Sequence, residues 1–274
     1  MGEYIGEIGR RTLLHEAYCD PVENLHEFLE KVASISANAD DKFWFRGEAD
    51  VTYKLQPSVG RLHSVGSVSK TFNEKDERDL LDRFLRRAYP FVGRMLPRWE
   101  ALFLARHHGL PTRLLDWTAS PLIALFFACE SMKECDGQIW AIQRYRGRDT
   151  KELDFIGCPP NASPLEYDGS DAVKIIYPVF NSPRIMAQDG IFTYHARPQT
   201  PLTQYAADKT QFAWHDLDLK CVHRWTVPGG AKLGLIKALH RLGVHQRTIY
   251  PDLDGLAKGL WQTEVLWRPI QGDG

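Results

Sequence analysis

Apolar residues recur along this chain at two spacings, and the spacing switches from segment to segment. Leu25, Phe28, Leu29 and Val32 follow a helical period. Ahead of them Asp20 can cap, Pro21 suits a first turn and Glu23 completes a capping box, so a helix is predicted there. KFWFRG (42–47) alternates instead, which predicts a strand with Phe43 and Phe45 on one face and Trp44 and Arg46 on the other. Ending in Arg-Gly, that strand is expected to present Arg46 at a sheet edge beside closely approachable backbone. Residues 53–72, rich in Gly and Ser, read as a loop. Helices are predicted over 76–88 and 95–107, the second stopped by Gly109 and Pro111. TRLLDW (112–117) reads as a short strand or extended turn. Ser120-Pro121 then opens PLIALFFAC, the most apolar helix of the chain and a buried core element.

Further on, QIWAIQ (138–143), VKIIYPVF (173–180) and IFTYH (191–195) read as strands, with a polar loop over 144–170. The remainder reads as mostly helical, over 229–242 and 252–262. Strands and helices mix without βα alternation, which predicts an α+β fold: a small mixed or antiparallel sheet flanked by helices. No Pro/Gly-rich linker interrupts the pattern, so a single domain is expected over 1–274, with its core at about 25–260.

Composition narrows the function classes. A hydrophobic share of 43% and a charged share of 25% over 274 residues suit a folded chain. The formal net charge of −1 gives no global reason to expect nucleic acid or membrane as partner. Five cysteines (Cys19, Cys129, Cys135, Cys158, Cys221) lack metal-type spacing and read as thiols in a reducing compartment. MGEYIGEIGRR has no apolar core of signal-peptide length, so a cytoplasmic protein without membrane spans is expected.

Candidate chemistry concentrates in HHGLPTRLLDWTAS, residues 107–120. His107, His108, Thr112, Arg113, Asp116, Trp117, Thr118 and Ser120 fall between two apolar helices, as polar groups converging on a pocket would. Helix-end charge accounts for the histidines, and capping accounts for Ser120, without any function. Arg113, Asp116 and Thr118 are the stronger candidates. Arg46 adds a planar fork suited to phosphate or carboxylate, with a structural ion pair as an equal alternative. Gln188, in Gln-Asp-Gly before a strand, either faces a cleft or starts a turn. Asp252 and Asp254 read as helix caps, and no metal-binding or nucleotide-loop motif occurs.

Phe45-Arg46-Gly47, Leu55-Gln56-Pro57-Ser58, Arg61, Glu77, Phe84 and above all His108-Gly109-Leu110-Pro111-Thr112-Arg113-Leu114-Leu115-Asp116-Trp117-Thr118 resemble the FRG domain family. Arg184, Gln188-Asp189-Gly190-Ile191-Phe192 and Pro251 to Leu256 extend the resemblance to about residue 260. Arg106 departs from it, standing where the family has Gln. A weaker resemblance, by motif order, is to the ADP-ribosyltransferase superfamily. It implies an NAD-binding enzyme with the first-strand Arg46 and Gly47 at the cofactor, Thr118 or Ser120 supporting the site, and an acid at the nicotinamide ribose. His108 and Asp116 would orient the ribose or move a proton, and Arg113, Trp117 and Ser120 would line the cofactor. The acid is unfilled: Gln188 stands in its region without a charge, and Glu264 has the charge without an assured place. The implied role is a bacterial or phage toxin or defence effector modifying a protein or nucleic acid. The alternative is a non-catalytic nucleotide- or ligand-sensing module that regulates a partner.

Overall fold

The computed structural model of the chain describes residues 21–36, 42–131, 134–144, 173–178, 183–202 and 219–267. Its centre is a six-stranded sheet in which each strand pairs antiparallel with its neighbours. Across the sheet run β6 (Val173–Ile176), β7 (Gly190–His195), β4 (Leu114–Thr118), β1 (Phe43–Glu48), β5 (Gly137–Arg144) and β8 (Leu219–Val227). The fold is α+β, with a larger sheet than expected. Strand β8 falls where a helical remainder was read, although Trp225 and Val227 alternate with Arg224 and Thr226 as a strand requires.

Alternation along β1 divides the interior into two layers, as its sequence predicts. Phe43 and Phe45 join Ile139, Trp225 and Val227 beneath α1 (Leu25–Ile35), α4 (Pro121–Cys129) and α6 (Gly229–Arg241). Trp44 faces the other way with Leu115, Trp117, Trp140, Ile142 and Ile191. A third cluster joins α2 (Glu74–Val92) and α3 (Arg98–His107) to Leu114, Phe192 and Tyr194. β1 is a central strand and not an edge, so Arg46 lies inside the sheet plane's span rather than at its rim. Gly47 explains why a glycine follows it. A Cβ there would fall inside the Ala124 carbonyl oxygen and 2.7 Å from the Ala128 nitrogen. Helix α4 thus crosses β1 at a distance only glycine permits.

Three local expectations need correction. α1 is capped by Asn24, whose side chain accepts from the Glu27 N–H at 3.1 Å, in place of the expected Asp20 box; Asp20 lies outside the described residues. The expected 53–72 loop contains a 3₁₀ turn (Ser58–Gly60) and a hairpin, β2 (Leu62–Val65) and β3 (Val68–Thr71). Gly66, at φ +59, supplies its left-handed turn residue. The last helices are short α7 (Gln246–Ile249) and α8 (Leu253–Trp267), the latter started by Asp252, whose carboxylate accepts from the Gly255 N–H at 2.7 Å. Most of the expected 144–170 loop, with Cys158, lies outside the described residues, and so does Cys19. Among the described residues no helix is long and apolar enough to cross a membrane.

Candidate functional site

A cleft of about 580 Å³ opens where β1, β4 and β7 meet α3, α4 and a short helix, α5 (Pro183–Ala187). β1 and β4 are joined at Phe45 and Thr118. Beyond that pair the ladder is replaced by a side chain: Arg46 Nη1 donates to the Asp116 carbonyl at 2.9 Å. Arg46 Nε donates to the buried Glu48 carboxylate at 3.1 Å, and Glu48 also accepts from Gln138 at 2.8 Å. The strand itself spaces Arg46 and Glu48 two residues apart on one face, so the arginine's position is locally fixed.

Arg106 reaches the same point from α3. Its Nε lies 3.1 Å from both Asp116 carboxylate oxygens, and Nη2 donates to Oδ2 as well. Arg106 Nη1 donates to Ser58 Oγ at 3.0 Å, and Ser58 accepts the Thr112 N–H at 3.1 Å. The Leu55–Ser58 turn therefore braces the arginine from behind. Burial opposes ionisation of Asp116, but Arg106 and then Arg46 outweigh it and hold the carboxyl below the usual carboxylate range. Burial likewise opposes the Arg106 charge, and Asp116 more than restores it. Two arginines and one ionised carboxylate thus occupy the floor of the cleft.

His107, His108, Arg184 and Gln188 also line the cleft. The His107 imidazole is held below the usual histidine value by burial first, then by His108 and Arg184. Arg184 sits over the Tyr250 ring at 4.4 Å, a cation–π contact that fixes its stem. Thr118 ties the walls together: its hydroxyl donates to the Gln188 carbonyl at 2.6 Å and accepts the Ser120 N–H at 3.0 Å. The neighbouring Ala119 N–H donates to the Asp189 carbonyl at 3.1 Å, and Asp189 adopts φ +44. Gln188 Nε2 reaches the Ile249 carbonyl at 3.4 Å. Phe103, Phe127, Ile185 and Phe192 give the cleft apolar sides.

Of the expected site residues, Arg46, Gly47, His108, Asp116, Trp117, Thr118 and Gln188 border this cleft. Their roles differ from those expected in several cases. Arg113 is 1% exposed and outside the cleft, because Glu77 and the Tyr194 hydroxyl consume its guanidinium at 2.9 and 3.0 Å. Trp117 borders the cleft by position, but its indole packs in the second core layer and donates to Thr193 Oγ1 at 2.9 Å. Ser120 caps α4 through the Ile123 N–H at 3.4 Å and does not line the cleft. Gly47 serves the α4 crossing, and Glu264 is exposed on α8, away from the cleft. Arg106 and Arg184 are the residues sequence reasoning left without a role. Phe103, Arg106 and His107 repeat at i, i+3 and i+4 on α3, a spacing that marks one helix face and could have placed Arg106.

Comparison with known proteins follows the same block. Residues 41–137 match the family model described as FRG domain, from β1 to the start of β5. This stretch of the chain is an FRG domain. No curated protein and no solved structure matches it. In this FRG domain the name-giving triplet divides its labour: Phe45 is core, Arg46 is cleft, and Gly47 admits α4. Among the described residues no three His, Cys, Asp or Glu side chains converge as a metal site would require.

Proposed function

We propose that the cleft binds NAD and that the protein is ADP-ribosyltransferase-like. One observation carries this reading: Arg46 on β1, Thr118 on β4 and Gln188 in the turn leading into β7, far apart in the chain, border one cleft where three adjacent strands lie side by side. That is the motif order of the superfamily, a first-strand arginine, a hydroxyl on the strand entering an apolar helix, and a third strand beside them. Arg46, Arg106 and Arg184 suit a pyrophosphate, and Phe103, Phe127 and Phe192 suit a planar ring. The volume lies in the range of small-molecule sites. The wider role, a bacterial or phage toxin or defence effector acting on protein or nucleic acid, rests on family resemblance alone.

The donor set fits binding better than turnover. Asp116 is the one carboxylate among the described residues that line the cleft, and Arg106 clamps it. Gln188 is neutral where an acid would support an oxocarbenium-like ribose, and an amide does so poorly. This favours a second reading, a non-catalytic sensing module that uses the same pocket. Calorimetry with NAD, followed by assay of nicotinamide release and label transfer, separates them. Saturable binding with release supports the enzyme; binding without release, abolished by Arg46→Ala, supports the sensor. No NAD binding overturns the enzyme, and failure of other nucleotides to bind as well overturns a nucleotide sensor.

A further inference from the structure

Behind α4 lies a second, smaller cavity of about 170 Å³, formed where α6, α7 and α8 converge. Its walls are mostly apolar and aromatic: Phe126, Ile236, Val244, Trp261, Val265 and Leu266. His240 and His245 add two rings with centroids 4.8 Å apart. Burial, together with Arg247 and, for His245, His240, holds both imidazoles below the usual histidine value, so at neutral pH they act as uncharged ring surface. A volume of this size holds one ring system, well short of a dinucleotide.

Two polar features mark it as more than a packing gap. Arg247 lines the cavity, and no carboxylate among the described residues pairs with it. Its stem is placed there by Gly259, where a Cβ would collide with Arg247 Cγ and approach Cδ to 3.3 Å. A glycine in mid-helix weakens α8 by roughly 1 kcal/mol relative to alanine, a cost set here against seating that arginine. The neighbouring Gln246 also lines the cavity, is 4% exposed, and its amide oxygen has no hydrogen-bond partner. Buried amides are nearly always satisfied, so an unmatched one beside a cavity points to a missing polar partner. Glu130, the acid on the wall, is already engaged by Lys258 at 2.7 Å and the Tyr250 hydroxyl at 3.3 Å. The local balance therefore favours an anion.

We propose that this cavity is a second ligand site, taking a small planar aromatic carboxylate. The ring lies against Trp261, Phe126 and Val265, the carboxylate meets Arg247, and a ring donor meets the Gln246 amide. The site backs directly onto the cleft. Phe126 lines the cavity while Phe127 lines the cleft, and Gln188 in the cleft donates to Ile249 at the end of α7.

Benzoate, salicylate and the uncharged benzamide, titrated into the whole protein by calorimetry and tryptophan fluorescence, test this without reference to NAD. Benzoate and salicylate are expected to bind saturably and about ten-fold more tightly than benzamide, the worth of one charge-assisted contact. Arg247→Met should erase that preference while ring binding persists. Val265→Trp should fill the cavity and abolish binding, with far-ultraviolet circular dichroism and melting unchanged. Salicylate, whose ring hydroxyl can donate to the Gln246 amide oxygen, should bind more tightly than benzoate, and that advantage should vanish in Gln246→Leu. Absence of saturable benzoate and salicylate binding overturns the proposal. So does binding indifferent to Val265→Trp, or a carboxylate preference that survives Arg247→Met.

Discussion

Two arginine–carboxylate pairs, whose arginines stand seven residues apart in the chain, do opposite things. Arg113 and Glu77 are each 1% exposed and closed off by Tyr194. Arg106 and Asp116 are 20% and 42% exposed on the floor of a cleft. The chemistry of the two pairs is the same, so burial decides their work. The inner pair ties α2 to the β4 entry, with Glu77 also accepting the Arg113 N–H at 2.9 Å. The outer pair, beside Arg46, presents charge to whatever enters. An arginine within a recognisable motif is thus not by that fact a ligand-binding residue.

The largest effect should come from breaking the inner pair. Glu77→Ala leaves a buried guanidinium without its partner and should destabilise the fold by about 3–5 kcal/mol, read from urea denaturation. A Glu77→Leu/Arg113→Met double variant should recover most of that, since no buried charge remains. If Glu77→Ala proved nearly neutral, the contrast between the pairs would collapse. Next, Gly47→Ala should cost about 3 kcal/mol by pushing α4 from β1, although the residue borders the cleft. A loss of ligand affinity with unchanged stability would instead return Gly47 to the cofactor role first expected of it.

The outer cluster should respond in the reverse sense. Arg46→Ala should weaken NAD binding about ten-fold or more, the worth of a charged hydrogen bond, with a smaller change in melting temperature. Asp116→Asn should alter stability by about 1 kcal/mol or less, because the pair is solvent-screened. Its pH dependence has a defined sign. The folded carboxyl titrates below its unfolded value of roughly 3.9, so its contribution is complete above that pH and is lost as pH falls through the folded value. Parent and Asp116→Asn melting temperatures should therefore converge on acidification, and divergence would contradict the assigned ion pairing.

Local pattern carried much of this. Period-2 alternation placed Trp44 and Phe45 on opposite layers, and the Gly109 stop, at φ +82, ended α3 where expected. The 107–120 segment did border a cleft, through His108, Asp116 and Thr118. It did not reveal that Arg113 turns inward, because Glu77 lies on another helix and pairs only after α2 packs. Nor did it reveal Arg106 as the clamp on Asp116, since the partner approaches from the far side of a turn. Strand β8 escaped notice because its polar alternates, Arg224 and Thr226, dilute a pattern that only pairing with β5 makes decisive.

The sequence by itself determined most of the strands and helices with a buried face, β8 excepted, and that Phe-Arg-Gly and the 108–118 block belong to an FRG domain. Tertiary structure alone decided which of the motif's charges meet solvent. Side-chain periodicity is written within a few residues, whereas the partner that buries, pairs or frees a charge arrives from a distant part of the chain.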